Sequence, residues 1–199
     1  MLDSEILKSL TDAQIVEQSL LDRSYFTVIV ERFEEKLNRY LKRLGVHTHE
    51  DRQDILQDIF LKVYKNLNGF DSGLSFSSWV YRIAHNEAIS WYRKQNVRPE
   101  GHRVDGTDEL FLYIDSGLPS AEQLVDAHIN ARRLKLALIL LEVKYRDPII
   151  LRFFEHKEYD EISDILKIPI GTVGTLISRG KKKLEQLLTD ATTSQTLLP

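Results

Sequence analysis

Between about Leu10 and Gln95, apolar residues recur every three to four positions, the spacing that places one stripe along one side of an α-helix. The stripe breaks at LGVHTHEDR and again at NGFDSGLS, where glycine, asparagine, aspartate and serine supply turn chemistry. Three or four helices are therefore predicted in this half. From Val97 to Pro119 the periodicity stops, and VRPEGHRVDGTDELFLYIDSGLP, with its prolines, glycines and acids, reads as a linker. Helical spacing returns at Ser120, a candidate N-cap with Glu122 in the first turn, and continues through KKLEQLL. The closing TDATTSQTLLP reads as a fraying tail. No sustained alternation marks a strand, and no internal repeat is visible. The prediction is an all-α chain of two small helical domains on a flexible linker: residues 1–96, linker 97–119, residues 120–189 and tail 190–199.

Two helices carry more than a core stripe. In DRQDILQDIFLKVYKNL, Ile55, Ile59 and Val63, flanked by Leu56, Phe60 and Leu67, form a side to be buried. The far side carries Asp54, Gln57, Asp58, Leu61 and Lys65, an apolar residue set among polar and acidic ones, which suits a protein partner. The next helix, in FSSWVYRIAHNEAISWYRKQ, interleaves aromatics with cations and amides, the combination that holds unstacked bases and their phosphates.

The C-terminal segment YDEISDILKIPIGTVGTLISRGKKKL has helix-turn-helix spacing: a helix over Tyr159–Leu166, a turn containing Pro169, and a second helix opening near Gly171. At 100° per residue, Val173, Ile177, Gly180 and Leu184 share an inward face, with Leu176 and Leu187 at its edges. Thr175, Ser178 and Lys182 then point outward, flanked by Gly174 and Arg179, as a major-groove reader requires. Gly180 lets a partner helix approach closely. The lysine run taken alone would only mark a solvated, dipole-satisfying helix end.

Composition narrows the classes. The 199 residues carry 27 Lys and Arg against 30 Asp and Glu, a net charge of −3, so any contact with nucleic acid must come from local basic patches. The absence of cysteine rules out disulfides, thiolate chemistry and Cys-based zinc sites, and fits a reducing compartment, the cytoplasm. Neither a signal peptide nor a run of eighteen uncharged apolar residues is evident, so no membrane insertion is expected.

With these residues in view, the sequence resembles sigma factors of the extracytoplasmic-function group, the smallest members of the sigma-70 family of RNA polymerase sigma factors. DILQDIFLKVYKNLNGFDSGLSFSSWVYRIAHNEAISWYRK is similar to the family's region 2, and KYRDPIILRFFEHKEYDEISDILKIPIGTVGTLISRGKKKL to its region 4. LTDAQIVEQSLLDRSYFTVIVERFEEKLNRYLKRLG resembles the start of region 2. The resemblance implies that Asp54, Gln57, Asp58 and Leu61 bind the clamp helices of the largest subunit of core RNA polymerase, with the flap as a further contact. It implies that Phe70, Asp71, Phe76, Trp79, Arg82, Asn86 and Arg93 capture the melted −10 strand of promoter DNA. Thr172, Gly174, Thr175, Ser178, Arg179 and Lys182 would read the −35 duplex. It further implies an anti-sigma factor as partner, a nucleic-acid-mimicking role for the linker, and no catalytic residue, metal or cofactor. Lys167 stands where the family often has a turn glycine, and Gly174 and Leu176 stand at positions that are commonly basic.

Two other readings compete. A stand-alone helix-turn-helix regulator accounts for the C-terminal half but leaves the aromatic helix and the Asp54–Leu61 face without a purpose. A metal enzyme would use VHTHED, where His47, His49, Glu50 and Asp51 crowd together, although this also reads as a polar loop between helices.

Overall fold

The computed structural model describes residues 10–71, 73–97 and 133–195, and all regular structure among them is helical. In chain order the helices are α1 (Asp12–Leu21), α2 (Phe26–Leu44), α3 (His49–Asn66), α4 (Phe76–Val97), α5 (residues 133–140), α6 (Val143–Phe153), α7 (Tyr159–Leu166) and α8 (Ile170–Gln195). Single 3-10 turns occupy Arg23–Tyr25 and Leu67–Gly69. The predicted all-α class is therefore the observed one. The predicted linker after Val97 and the candidate cap Ser120 lie outside the described residues, and α8 continues to Gln195, past the point at which the tail was expected to begin.

The chain divides into two compact units, Met1–Arg103 with Asp160–Ile168, and Val104–Tyr159 with Pro169–Pro199. In the first, α1 opens with a capping box: Thr11 Oγ1 accepts the Gln14 amide at 3.3 Å while Gln14 Oε1 accepts the Thr11 amide at 2.9 Å. Helix α2 buries Ile29, Phe33, Leu37, Tyr40 and Leu41, each 2% exposed or less, against the Ile55, Leu56, Ile59 and Val63 stripe of α3 and the Val80 and Ala84 side of α4. Such a stripe is what holds helices together in water, at about 25 cal/mol for each Å² of apolar surface removed.

The α2–α3 turn is fixed from several sides. Gly45 ends α2 at φ 109°, a left-handed conformation, and its amide and that of Val46 return to Leu41 and Lys42 carbonyls. A Cβ there would stand 2.4 Å from Tyr92 Oη, whose hydroxyl donates to the Leu44 carbonyl at 2.8 Å, so the far end of α4 is packed on a glycine. Buried Arg52 donates from Nε to Asn38 Oδ1 at 2.8 Å and from its terminal nitrogen to the Val46 and His47 carbonyls at 3.1 and 2.6 Å. Burial lowers its pKa, opposed by nearby Glu50. Thr48 caps α3 by accepting the Asp51 amide at 3.1 Å, and Asp51 also receives Trp91 Nε1 at 3.3 Å. VHTHED is thus the capped start of a helix, and among the described residues no group of His, Asp and Glu could hold a metal ion.

In the second unit α6 packs on α8. Gly180 lies at that interface: a Cβ would come 2.7 Å from Ile149 Cδ1 and 3.1 Å from Tyr145 Cβ. Val173 and Ile177, 0% and 3% exposed, are the fully buried part of the inward face, and Leu184 and Leu187 are half-buried beyond them. Leu141, Tyr145 and Ile149 form the facing cluster, with Leu176 and Leu187 packed against it.

Candidate functional site

Helix α3 presents its polar face as the sequence pattern required. Asp54, Gln57, Asp58 and Leu61 are all exposed, Leu61 at 47%, because the buried stripe at Ile55, Ile59 and Val63 turns the other side of the same helix inward. Beside Leu61 the exposed Tyr64 ring stacks edge-on with Phe26 at 5.1 Å and lies under the Arg23 guanidinium at 4.6 Å. Leu20 and Leu21, 42% and 79% exposed, lie at the end of α1. Leu21, Arg23 and Tyr64 were absent from the sequence-derived candidates; an aromatic one turn beyond Leu61 was the available signal for Tyr64.

The α4 candidates divide. Phe76 and Trp79 are core residues, 5% and 9% exposed, in an aromatic cluster with Phe33 and Phe70 whose centroids lie 5.1 to 5.7 Å apart. This corrects the expectation that their rings are offered to bases: at the start of an amphipathic helix, positions 76, 79 and 80 face the interior. Phe70 remains half-buried at the edge of the cluster. Asp71, Asn86 and Arg93 are exposed, and Asp71 Oδ1 accepts the Gly73 amide at 2.9 Å, closing the loop before α4. Arg82 is half-buried, and its guanidinium donates to Asp164 Oδ1 of α7 at 2.8 Å. Glu161 of α7 accepts from Ser78 Oγ at 2.8 Å and Ser75 Oγ at 3.1 Å.

Helix α8 starts with Thr172 and Val173 amides returning to the Pro169 carbonyl at 2.8 and 3.2 Å. Thr175, Ser178, Arg179 and Lys182 are exposed along it, as the helical wheel predicts, and so is Thr172. Thr175 Oγ1 donates to the Gly171 carbonyl at 3.1 Å, which leaves its oxygen lone pairs and methyl outward. Gly174 is only half-exposed because Tyr159 lies alongside: a Cβ at 174 would be 3.4 Å from Tyr159 Cε2. Tyr159 in turn sits beneath the Arg152 guanidinium at 5.5 Å. The terminal lysines are not equivalent. Lys183 pairs with Glu142 and lies 4.8 Å from the Tyr145 ring, Lys181 is exposed with its ammonium 5.6 Å from the Phe153 ring, and Lys182 is exposed on the side of Thr175 and Ser178. Hydrogen bonds from Lys144 and Lys183 hold the Glu142 carboxyl down at about 2.

Comparison with known proteins decides the family of the chain. The family model for sigma-70 region 2 matches residues 29–98, and that for sigma-70 region 4 matches residues 131–184. The extracytoplasmic-function RNA polymerase sigma factor SigW of Bacillus subtilis is 33% identical over 85% of this chain and 91% of its own length. The chain belongs to the sigma-70 family, in the extracytoplasmic-function group. The RNA polymerase sigma-H factor of Pseudomonas aeruginosa is 28% identical to this sigma factor over 89% of the chain and 93% of the relative. Among solved structures, CnrH in complex with the cytosolic domain of CnrY superposes with a TM-score of 0.66 at 22% identity, covering 90% of this sigma factor and 97% of that chain, a likeness of fold. The relatives are named as sigma factors and not as enzymes. None of the described helices is long and apolar enough to cross a membrane.

Proposed function

We propose that this sigma factor joins core RNA polymerase through the Asp54, Gln57, Asp58 and Leu61 face of α3 and directs it to promoters, in the cytoplasm. Region 2 takes the melted −10 strand along Phe70, Asp71, Arg82, Asn86 and Arg93, and region 4 takes the −35 duplex along Thr172, Gly174, Thr175, Ser178, Arg179 and Lys182. The observation that carries this reading is the exposure of both faces on helices whose opposite sides pack inward, at Ile55, Ile59 and Val63 on α3 and at Val173 and Ile177 on α8: each helix offers a chemically distinct, unburied row of side chains. On α3 that row combines an apolar residue with acids, as a protein partner needs. On α8 it combines small hydroxyl residues with two cations, as a major-groove reader needs.

An anti-sigma protein that covers such surfaces fits the same picture, because large exposed apolar residues such as Leu61, Tyr64 and Leu140 are otherwise left in water in the free chain. The sigma factor of Bartonella quintana that superposes with a TM-score of 0.60 was solved with its anti-sigma factor NepR.

The test is run-off transcription with purified core polymerase on fragmented genomic DNA, comparing the native chain with Leu61→Asp and Asp58→Lys. Discrete promoter-directed products with the native chain, and loss of both core co-purification and products with the variants, are expected. A native chain that yields no products, or variants that retain core binding at unchanged helicity, would overturn the assignment.

A further inference from the structure

Arg93 sits near the end of α4, where a helix has the fewest backbone bonds to keep it wound. It is exposed, and no ion pair ties it among the described residues, so its direction depends on the helix beneath it. Asn86 lies seven positions earlier, which at 100° per residue puts the two side chains within about 20° of one line along α4. A strand that follows this line meets Arg93 only while the end of α4 stays wound.

Two consecutive aromatics hold that end. Trp91 Nε1 donates to Asp51 Oδ1 at 3.3 Å and Tyr92 Oη donates to the Leu44 carbonyl at 2.8 Å, so one anchor reaches the first turn of α3 and the other the last residue of α2. The two rings pack edge to face with centroids 4.9 Å apart. Both acceptors stand in a fixed frame. Asp51 receives the Thr48 hydroxyl on Oδ2 at 2.6 Å and its amide bonds Thr48 Oγ1, while Arg52 holds the Val46 and His47 carbonyls just beyond Leu44. Full burial along α4 stops at Ala88, so past that residue the half-buried rings and their two bonds are what join the helix to its neighbours.

We infer that Trp91 and Tyr92 are positioning residues for Arg93: they pin the end of α4 to the α2–α3 turn and keep Arg93 in line with Asn86, where its guanidinium meets a phosphate of the bound strand. The inference rests on the proposal above that Arg93 contacts the −10 strand. It adds two residues that act through Arg93 and not on DNA directly.

A phosphate contact is blind to sequence, so the probe is a labelled single-stranded DNA 20-mer of randomised sequence. Its anisotropy is read with the full chain on core polymerase, against core polymerase alone, across a salt series. Arg93→Ala is expected to weaken binding roughly fivefold and to make the slope of log K against log salt shallower by about 0.7, the share of one single-strand phosphate. Trp91→Phe/Tyr92→Phe keeps two rings and deletes both donors. It is expected to weaken binding roughly threefold, with a shallower slope and faster deuterium exchange at the amides of residues 93–95. Adding Arg93→Ala to this pair should weaken binding no further than Arg93→Ala alone, because residues that act through Arg93 have nothing left to position.

A role in stability alone would lower the melting temperature of the Trp91→Phe/Tyr92→Phe protein and leave its salt slope native. That result, unchanged exchange at residues 93–95, or additive losses in the triple variant would overturn the inference. A native chain that fails to join core polymerase, or an Arg93→Ala protein that binds the strand as the native chain does, removes the assignment of Arg93 and the inference together. A loss with Arg93→Ala that the aromatic variant does not share removes the positioning alone.

Discussion

Position 174 has no side chain of its own, yet the space beside it is filled. Tyr159, 39% exposed, lies against Gly174 with the Arg152 guanidinium over its ring. Gly174→Arg would therefore push its Cβ against a ring edge at 3.4 Å and not against backbone, and a partly exposed tyrosine can yield. The expected outcome is a folded protein whose affinity for −35 duplex rises and whose salt dependence steepens by about one phosphate contact. Stability should change by less than ~1 kcal/mol, since replacing a helical glycine recovers propensity that offsets moving the ring. Duplex binding across a salt series, with a thermal melt alongside, checks both; a shallower salt slope would place 174 away from DNA. At this scale the sequence was legible where a residue's direction follows from helical phase, as for Leu61, Thr175, Ser178 and Arg179. It was less legible where identity suggested a role and packing decided otherwise. Phe76 and Trp79 have base-stacking rings that the core consumes, and Lys183 is drawn sideways to Glu142, whereas Lys182 keeps the outward direction that helical phase gave it.

For the helices, the termini carry the information that periodicity cannot supply. Helix α7 ends at Leu166, and Lys167 follows at φ 54°, where an L-residue with a Cβ is disfavoured by roughly 1–2 kcal/mol. The Ile168 amide still returns to the Ser163 carbonyl at 3.2 Å, and Ser163 Oγ donates to the Ile168 carbonyl at 2.6 Å, so the turn closes in spite of the strain. The lysine's compensation is its bond to Asp164, but an exposed pair of this kind contributes only about 0–1 kcal/mol. Lys167→Gly is therefore expected to stabilise the chain by roughly 0.5–1 kcal/mol and to raise its melting temperature by a few degrees. A lower melting temperature would mean that the pair outweighs the strain. The departure from glycine was visible in the sequence; the left-handed backbone behind it became visible only in the fold. The turn at Gly45 shows the reverse, because a glycine after RYLKRL already reads as a helix stop, while the Tyr92 hydroxyl packed on it comes from 47 residues away.

Over the whole molecule the sequence revealed composition and order well, and grouping less well. Two helical regions in the order region 2 then region 4 follow from periodicity and from the family resemblance. The gathering of Asp160–Ile168 with the first unit does not, because it depends on polar bonds between residues some 80 positions apart, which leave no local pattern. A chain with a net charge of −3 and no cysteine also constrains how signals reach it. Treatment with N-ethylmaleimide or a mild disulfide-forming oxidant should leave core binding and run-off transcription unchanged, because no thiolate exists to react. Run-off assays with treated sigma factor and untreated polymerase check this, and inhibition would require a reactive group other than a thiol. Any thiol-based redox response of the regulated system then has to enter through another protein.

The Gly180 notch has a consequence of this kind for how the recognition helix can change over time. Ile149 and the Tyr145 backbone come so near the axis of α8 that a methyl group would collide with them, so α8 has one axial position and one rotation in which it seats on α6. It acts as a keyway. With the shaft indexed there, residues 172, 175, 178 and 179 keep their compass bearing whatever side chains they carry, and under the proposed assignment of this face to the −35 duplex new sequence preferences can be sampled at those four positions without re-aiming the helix. An insertion of a single residue between Arg179 and Gly180 would swing the outward set by about 100°, so in this fold promoter choice evolves by substitution rather than by length.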